Sequence, residues 1–336
     1  MSEPSTSSTD GSTRYVVGVD LGGTNIVVGV MPDDGSREIA MRSQPTRADL
    51  GADVVVDRIC QMVEDAITIA RAETGASREQ FLGVGVGAPG PLDRKRGVVL
   101  IAPNLGWRDL PLRALIMDRV GLPATLDNDA NCATLGEWWT GAAKGANNVV
   151  GITIGTGIGG GLILGGRLYH GSSDMAGEIG HTTIDSNGRR CNCGNYGCLE
   201  AYASGPAIAE RARESLSANE SSVLLSLVGG KLERITAQTV YEASEKGDLL
   251  AREVVRDTAR FLGAGIANLL NTFNPDCVVI AGGVTQAGDA LFEPLNAEVR
   301  RRAFRPVVEA CRIVPGILPG SAGVVGAVAT FLQQNQ

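Results

Sequence analysis

The 336-residue sequence is short of several things, and each shortage narrows what the protein can be. Basic side chains are outnumbered, 30 Lys and Arg against 37 Asp and Glu, which leaves a formal charge of −7. A surface of that sign has no long-range attraction for nucleic acid or for an anionic membrane. The Ser/Thr-rich stretch Met1–Arg14 has no apolar core, so it reads as a disordered tail and not as an export leader. The longest uncharged run, Asn147–Gly166, has the length of a membrane span but is broken by GTGIGGG, so it reads as a turn. A cytoplasmic protein with no membrane and no nucleic-acid partner is expected. Histidine is scarce, with only His170 and His181. Cysteines number seven, which is odd, and Cys191, Cys193 and Cys198 crowd into eight residues. Without an export signal, that clustering points to metal and not to a disulfide framework.

Hydrophobic residues make up 43% and charged residues 20%, so wholesale disorder is excluded, and the length suits two domains. The excess is in glycine, 45 of 336 residues, or about 13% against a usual ~7%. No collagen-like period accounts for it. One internal repeat does use glycine: VVGVDLGGTNI at Val16–Ile26 returns as VVGITIGTGIG at Val149–Gly159. Each copy is an apolar strand, a glycine turn and a second strand (Val27–Met31, Leu162–Leu164), so two similar α/β halves are expected, each with a mostly parallel sheet.

Helical spacing marks Val54–Glu73, where Val55, Ile59, Met62, Val63, Ala66, Ile67 and Ala70 form a stripe. It also marks Leu249–Phe273, which must stop before Asn274-Pro275. Gly83–Pro91 reads as a strand ending in a turn, Ala124–Asp127 as a strand leading into a helix over Ala130–Gly141. Val278–Ile280 reads as a buried strand and Ser321–Leu332 as a closing apolar helix.

Four groups could carry chemistry. In Asp20-Leu-Gly-Gly-Thr24, glycines let backbone N–H groups approach an anion, Thr24 adds a hydroxyl, and Asp20 could hold Mg²⁺ through water; a plain hairpin turn is the alternative. Gly155–Gly161 is followed by a strand instead of a helix and lacks a Walker lysine, so neither familiar nucleotide fingerprint applies. What remains is a pair of glycine turns, one per half, closing around phosphates. Asp127-Asn128-Asp129 sits where a strand meets a helix; Asn128 or Asp129 could be an ordinary N-cap, but three polar residues exceed what a cap needs. Finally, Glu178-Ile-Gly-His181 precedes Cys191-Asn-Cys193 and Cys198-Leu-Glu200. Thiolates one residue apart suit tetrahedral Zn²⁺ better than a strained disulfide, with His181 the nearest fourth ligand and His170 the alternative. Such a site would be structural and would pin the Glu178 and Glu200 segments.

The motifs DLGGT, APGP (Ala88–Pro91), PNLGW (Pro103–Trp107), DNDAN, GTGIGGG, AGEIGH and CNCGNYGCLE occur in one order that resembles the ROK family of sugar kinases and repressors, and within it the ATP-dependent glucose kinases. The resemblance runs from about Tyr15 to the last helix. It implies an α/β, actin-like (ribonuclease-H-like) ATPase fold with two lobes about a cleft. The small lobe would be residues 15–128 with 320–336, and the large lobe 129–319 with a zinc segment at 181–198. It implies phosphoryl transfer from ATP–Mg²⁺ to a hexose, glucose before N-acetylmannosamine, N-acetylglucosamine or fructose. Asp129 then matches the catalytic base, and Asn104, Asn128, Asp129, Glu178, His181 and Glu200 match sugar ligands. Asp20, Gly22, Gly23, Thr24, Gly155, Thr156, Gly157, Gly159, Gly282 and Gly283 match the nucleotide side, and His181, Cys191, Cys193 and Cys198 the zinc ligands. A homodimer or homotetramer is the family habit. Asp127 stands where the pattern often has Glu, and Ser172-Ser173-Asp174 replaces a more usual glycine-containing stretch. Repressors of the family place a DNA-reading domain before the first glycine strand, for which the 14 residues ahead of Tyr15 leave no room.

Overall fold

The computed structural model describes residues 13–217 and 222–335, so the expected tail lies almost wholly outside the described residues. The first half runs β1 (Tyr15–Leu21), β2 (Asn25–Pro32), β3 (Ile39–Pro45), α1 (Ala52–Thr74) and β4 (Phe81–Ala88). A small sheet follows, β5 (Leu92–Asp93), β6 (Val98–Ala102) and β7 (Trp107–Leu110), then α2 (Leu112–Val120) and β8 (Ala124–Asn128). The second half opens with α3 (Asp129–Trp139), β9 (Val149–Ile154), β10 (Ile158–Leu164) and β11 (Arg167–Leu168). Helices α4 (Glu200–Ala203), α5 (Gly205–Ser217), α6 (Val223–Leu227), α7 (Ala237–Glu245) and α8 (Leu249–Phe273) come next. The chain closes with β12 (Cys277–Ala281), α9 (Asp289–Arg302), α10 (Arg305–Ala310), β13 (Arg312–Pro315) and α11 (Ala322–Gln334).

The repeat is a repeat of topology. One five-stranded sheet has the order β3-β2-β1-β4-β8 and the other β11-β10-β9-β12-β13. In each, the first three strands pair antiparallel and the last two join parallel. The sheets are therefore mixed, not mostly parallel as expected. The reason is connection length: β1 reaches β2, and β9 reaches β10, through a short glycine turn, and so short a link makes only an antiparallel pair.

Strand alternation sorts each sheet into two faces. In β1, Tyr15, Val17, Val19 and Leu21 enter a core with Val55, Ile59, Met62, Val63 and Ile67 of α1, whose apolar stripe is buried as its spacing predicts. Val16 faces the other way, onto Val325, Val328 and Phe331 of α11. β4 does the same with Val84, Val86 and Ala88 on the α1 side and Gly83, Gly85 and Gly87 behind them. In the second half, Val150, Ile152 and Ile154 of β9 and Ile158 and Leu162 of β10 share a core with α5, α8 and α9. Helix α8 packs its apolar stripe inside the chain, on α5, α7 and α9. It starts at Asp248, whose carboxylate accepts from Ala251 N–H at 2.8 Å, and ends at Asn274 (φ 44) before Pro275.

Between the sheets lie α3 and α11, packed against each other. Helix α11 comes so close to the first sheet that a Cβ on Gly85 would stand 1.9 Å from the Ala327 carbonyl oxygen, and one on Gly18 2.3 Å from that of Val324. Helix α3 approaches β10 as closely: a Cβ on Gly161 would meet Thr134 Oγ1 at 2.4 Å. Much of the glycine excess thus lets two helices seat between two sheets. Among the described residues, no helix is long and apolar enough to cross a membrane; the run Asn147–Gly166 forms β9, β10 and their turn.

Candidate functional site

The ends of β1, β8 and β9 bring the expected nucleotide and sugar residues towards one region. The Asp20–Thr24 turn is clamped from behind by buried Thr46, whose hydroxyl donates to the Gly22 carbonyl at 2.7 Å and whose N–H donates to that of Thr24 at 2.8 Å. Gly23 faces Asn104, with its would-be Cβ 3.3 Å from Asn104 Cβ. The second glycine turn proper is Gly155–Gly157, closed by Gly155 N–H to the Gly157 carbonyl at 2.9 Å. Gly159 lies inside β10, where it makes room for Ala130: a Cβ there would stand 2.7 Å from Ala130 Cβ. Gly282, at φ 104, ends β12 directly over the Ile154 carbonyl, so the Gly282-Gly283 turn adjoins the Gly155 turn.

Three carboxyl groups are linked here through their charges, Asp20 to Asp129 and Asp129 to Glu178. Burial and the nearby charge of Asp129 push Asp20 up to about 7. Burial and the charge of Glu178 push Asp129 up as well. A carboxyl raised by desolvation and like charge is suited to meet a cation or to take a proton. Asn128 is the N-cap of α3, its side-chain carbonyl accepting from Ala130 N–H at 2.9 Å and Asn131 N–H at 3.2 Å. The cap uses only the carbonyl oxygen, so both the capping and the ligand readings of Asn128 remain compatible with its chemistry.

The cysteine cluster forms as expected and selects its histidine. His181, Cys191, Cys193 and Cys198 bring their donor atoms within 4.8 Å of one another. The nearest pairs are Cys191 Sγ to His181 Nδ1 at 3.8 Å and Cys193 Sγ to Cys198 Sγ at 3.7 Å. A tetrahedral ion with metal–sulfur bonds of about 2.3 Å places its ligands roughly 3.8 Å apart, so the donor set fits Zn²⁺, whereas a disulfide needs sulfurs about 2 Å apart. Glu200 leans on this cluster with Oε1 3.8 Å from Cys191 Sγ, and its Oε2 accepts from Ile158 N–H at 2.8 Å beside the Gly155–Gly157 turn. His170, the alternative fourth ligand, is elsewhere and bonds Asp127.

The ROK family profile matches residues 16–334. The chain belongs to the ROK family. It is 40% identical to a glucokinase of Halalkalibacterium halodurans over 96% of this chain and 97% of that one. It superposes on the structure of a ROK glucokinase from Streptomyces griseus, in complex with glucose and AMPPNP, with a TM-score of 0.81 and 38% identity, covering 94% and 98% of the two chains. A putative xylose repressor of Caldicellulosiruptor is 35% identical over 94% of this chain and 78% of the repressor.

This ROK protein also holds a polar network that sequence reasoning missed. Asp127, with 0% of its side chain exposed, accepts from Arg94 Nε at 2.9 Å, Asn131 Nδ2 at 3.1 Å and Asn128 N–H at 2.8 Å. His170 Nε2 lies 2.9 Å from the same carboxylate. Burial alone would raise Asp127, but the bond to His170, the His170 and Arg94 charges and the Asn128 amide together hold it below the ordinary carboxylate value. Arg94 reaches on to Asp174 at 3.5 Å. The signal available in the sequence was the unusual Asp at 127; nothing there linked it to residues 33 and 43 positions away.

Proposed function

We propose that the chain is a cytoplasmic kinase that transfers the γ-phosphoryl group of ATP to the O6 hydroxyl of glucose. The likeness to a glucokinase over nearly the full length of both chains carries this reading, and the buried, raised carboxyls of Asp20 in β1 and of Asp129 directly after β8 give it a mechanism. Phosphoryl transfer needs positioning and charge neutralisation more than covalent help. Asp129 accepts the hydroxyl proton while the sugar oxygen bonds phosphorus and ADP leaves. Asn104, Asn128, Glu178, His181 and Glu200 hold the sugar hydroxyls. The two glycine turns, with Gly22, Gly23 and Thr24 on one side and Gly155, Thr156, Gly157 and Gly159 on the other, take the phosphates, and Gly282-Gly283 the adenosine side.

Asp20 would hold Mg²⁺, which when bound neutralises phosphate charge. The raised Asp20 carboxyl, costly while uncompensated, fits a group made to meet a cation. The Cys₃His set would hold one structural Zn²⁺, with His181 serving the metal through Nδ1 and leaving Nε2 for the sugar. The small lobe is taken as residues 15–128 with 320–336 and the large lobe as 129–319, with α11 packed on β1 and β4 of the one and on α3 of the other. Cysteines that form no disulfide with one another agree with a cytoplasmic setting.

A coupled ADP-release assay over glucose, fructose, N-acetylglucosamine and N-acetylmannosamine tests the reading. Glucose is expected to give the highest kcat/KM; a preference for N-acetylmannosamine or no hexose-dependent ADP release would overturn it. The repressor reading has less support, because the glucokinase aligns over 97% of its length and the repressor over 78%. Specific DNA binding in a gel shift would favour the repressor instead.

A further inference from the structure

The segment Gly171–Glu178 has little regular structure of its own to hold it. Three of its residues have positive φ: Gly171 at 72, Asp174 at 59 and Gly177 at 94. For Asp174 that conformation is uphill, where glycine would take it freely, so its side chain needs a compensating role. Asp174 Oδ2 accepts from the Arg94 backbone N–H at 3.3 Å, and its Oδ1 stands 3.5 Å from Arg94 Nη1. The loop is closed at its base by Ala176 N–H to the His170 carbonyl at 3.0 Å, and the His170 ring lies on Asp127. Arg94 itself sits at the tip of the β5–β6 hairpin, where Arg113 braces the carbonyls of Arg94 and Lys95 at 3.2 and 2.9 Å.

These bonds join three separate stretches of chain. The hairpin continues through β6 to Asn104, Asp127 precedes Asn128-Asp129 directly, and the loop delivers Glu178. Each of the three ends in a residue assigned above to the sugar, and none of the four linking side chains is assigned to ATP. The guanidinium is the part that matters geometrically. Nε serves Asp127 while the far edge serves Asp174, a division a single ammonium cannot reproduce.

We propose that Arg94, Asp127, His170 and Asp174 form a clasp between the two halves that fixes the Gly171–Glu178 loop and thereby sets the affinity for the hexose. Asp174 and Arg94 are positioning residues in it. The proposal rests on the kinase reading for its sugar half only.

The test compares wild type with Asp174→Gly, which keeps the backbone conformation and removes the carboxylate, and with Arg94→Lys. Asp174→Gly is expected to raise KM for glucose roughly tenfold, the size of one charge-assisted hydrogen bond in a half-buried site, with KM for ATP within about twofold. Its melting temperature should stay within about 2 °C of wild type, since a partly exposed ion pair adds little to global stability. The double variant should fall well short of the sum of the two single effects, because the side-chain contact between Arg94 and Asp174 is lost in both, while Arg94→Lys also gives up the Nε bond to Asp127. Hydrogen exchange of the amides of 171–178, read without substrate, should quicken in Asp174→Gly. Unchanged exchange would overturn the clasp, and faster exchange with an unaltered glucose KM would overturn its role in sugar binding. Wild-type protein that turns over no hexose would sink the kinase reading and the sugar half with it, while exchange alone would still decide the clasp.

Discussion

Replacing Asp20 with asparagine is expected to stabilise the ligand-free protein while removing its use of ATP. The carboxyl lies where β1 meets α11, so tightly that a Cβ on Gly323 would stand 2.3 Å from its Oδ2. Burial first, and then the charge of Asp129, raise it from 3.8 to about 7. An unfolded chain releases that proton near 3.8 and the folded chain keeps it until about 7. Folding therefore takes up a proton between these values, and this group's contribution makes stability fall as pH rises from about 4 to 7. Above pH 7 the folded state carries the full cost of a buried carboxylate. The gap of about 3 pH units corresponds to about 4 kcal/mol at ~1.4 kcal/mol each. Asparagine has nearly the same shape and no charge at any of these pH values. At pH 8, in buffer without magnesium or nucleotide, Asp20→Asn should melt on the order of 5–10 °C above wild type, and the difference should vanish near pH 4. The wild-type kcat/KM for MgATP should fall about tenfold per pH unit below about 7, since the cation needs the carboxylate form. The variant should have lost most of that activity at every pH. A variant no more stable than wild type at pH 8, or a difference that ignores pH, would refute the argument that Asp20 is held at a cost for the sake of a cation.

Three further outcomes follow from the same geometry. Asp129→Asn should lower kcat by roughly 10²–10⁴-fold, the range of general-base help, while calorimetry still shows glucose binding; near-normal turnover would remove Asp129 from the chemistry. Metal analysis of purified protein should find about one zinc per chain, and Cys193→Ser, at the exposed corner of the cluster, should lower melting temperature and glucose affinity together, because the free energy of binding a structural metal is folding free energy. Gly85→Ala should destabilise by several kcal/mol or prevent folding, since its methyl group would lie 1.9 Å from a helix carbonyl oxygen that has nowhere to go; a melting point unchanged from wild type would contradict the packing of α11 on β4.

Much of the fold could be read locally. The stripe of α1, the stop of α8 at Asn274-Pro275 and the paired strand-turn-strand copies depend on neighbours in the chain, and short-range periodicity reports them. The donors of the candidate metal cluster were legible for the same reason: three cysteines in eight residues carry their chemistry in their spacing. The glycines were not. Gly83, Gly85, Gly159 and Gly161 look in sequence like the turn glycines beside them, yet they serve strand faces covered by α3 and α11. Whether a glycine frees a dihedral angle or vacates a volume depends on what lies across from it.

The sequence by itself determined the two-half organisation, the cluster of three cysteines apart from a choice of histidine, and the motif order that marks the family. Tertiary structure alone decided that His170 belongs to Asp127 while His181 belongs to the cysteines. It also decided that Arg94 and Asp174 meet across 80 residues of chain. The physical reason is the same in each case. Local propensity acts through a few neighbouring bonds, whereas the charge state and partner of a buried side chain are set by groups that only folding brings within a few ångströms.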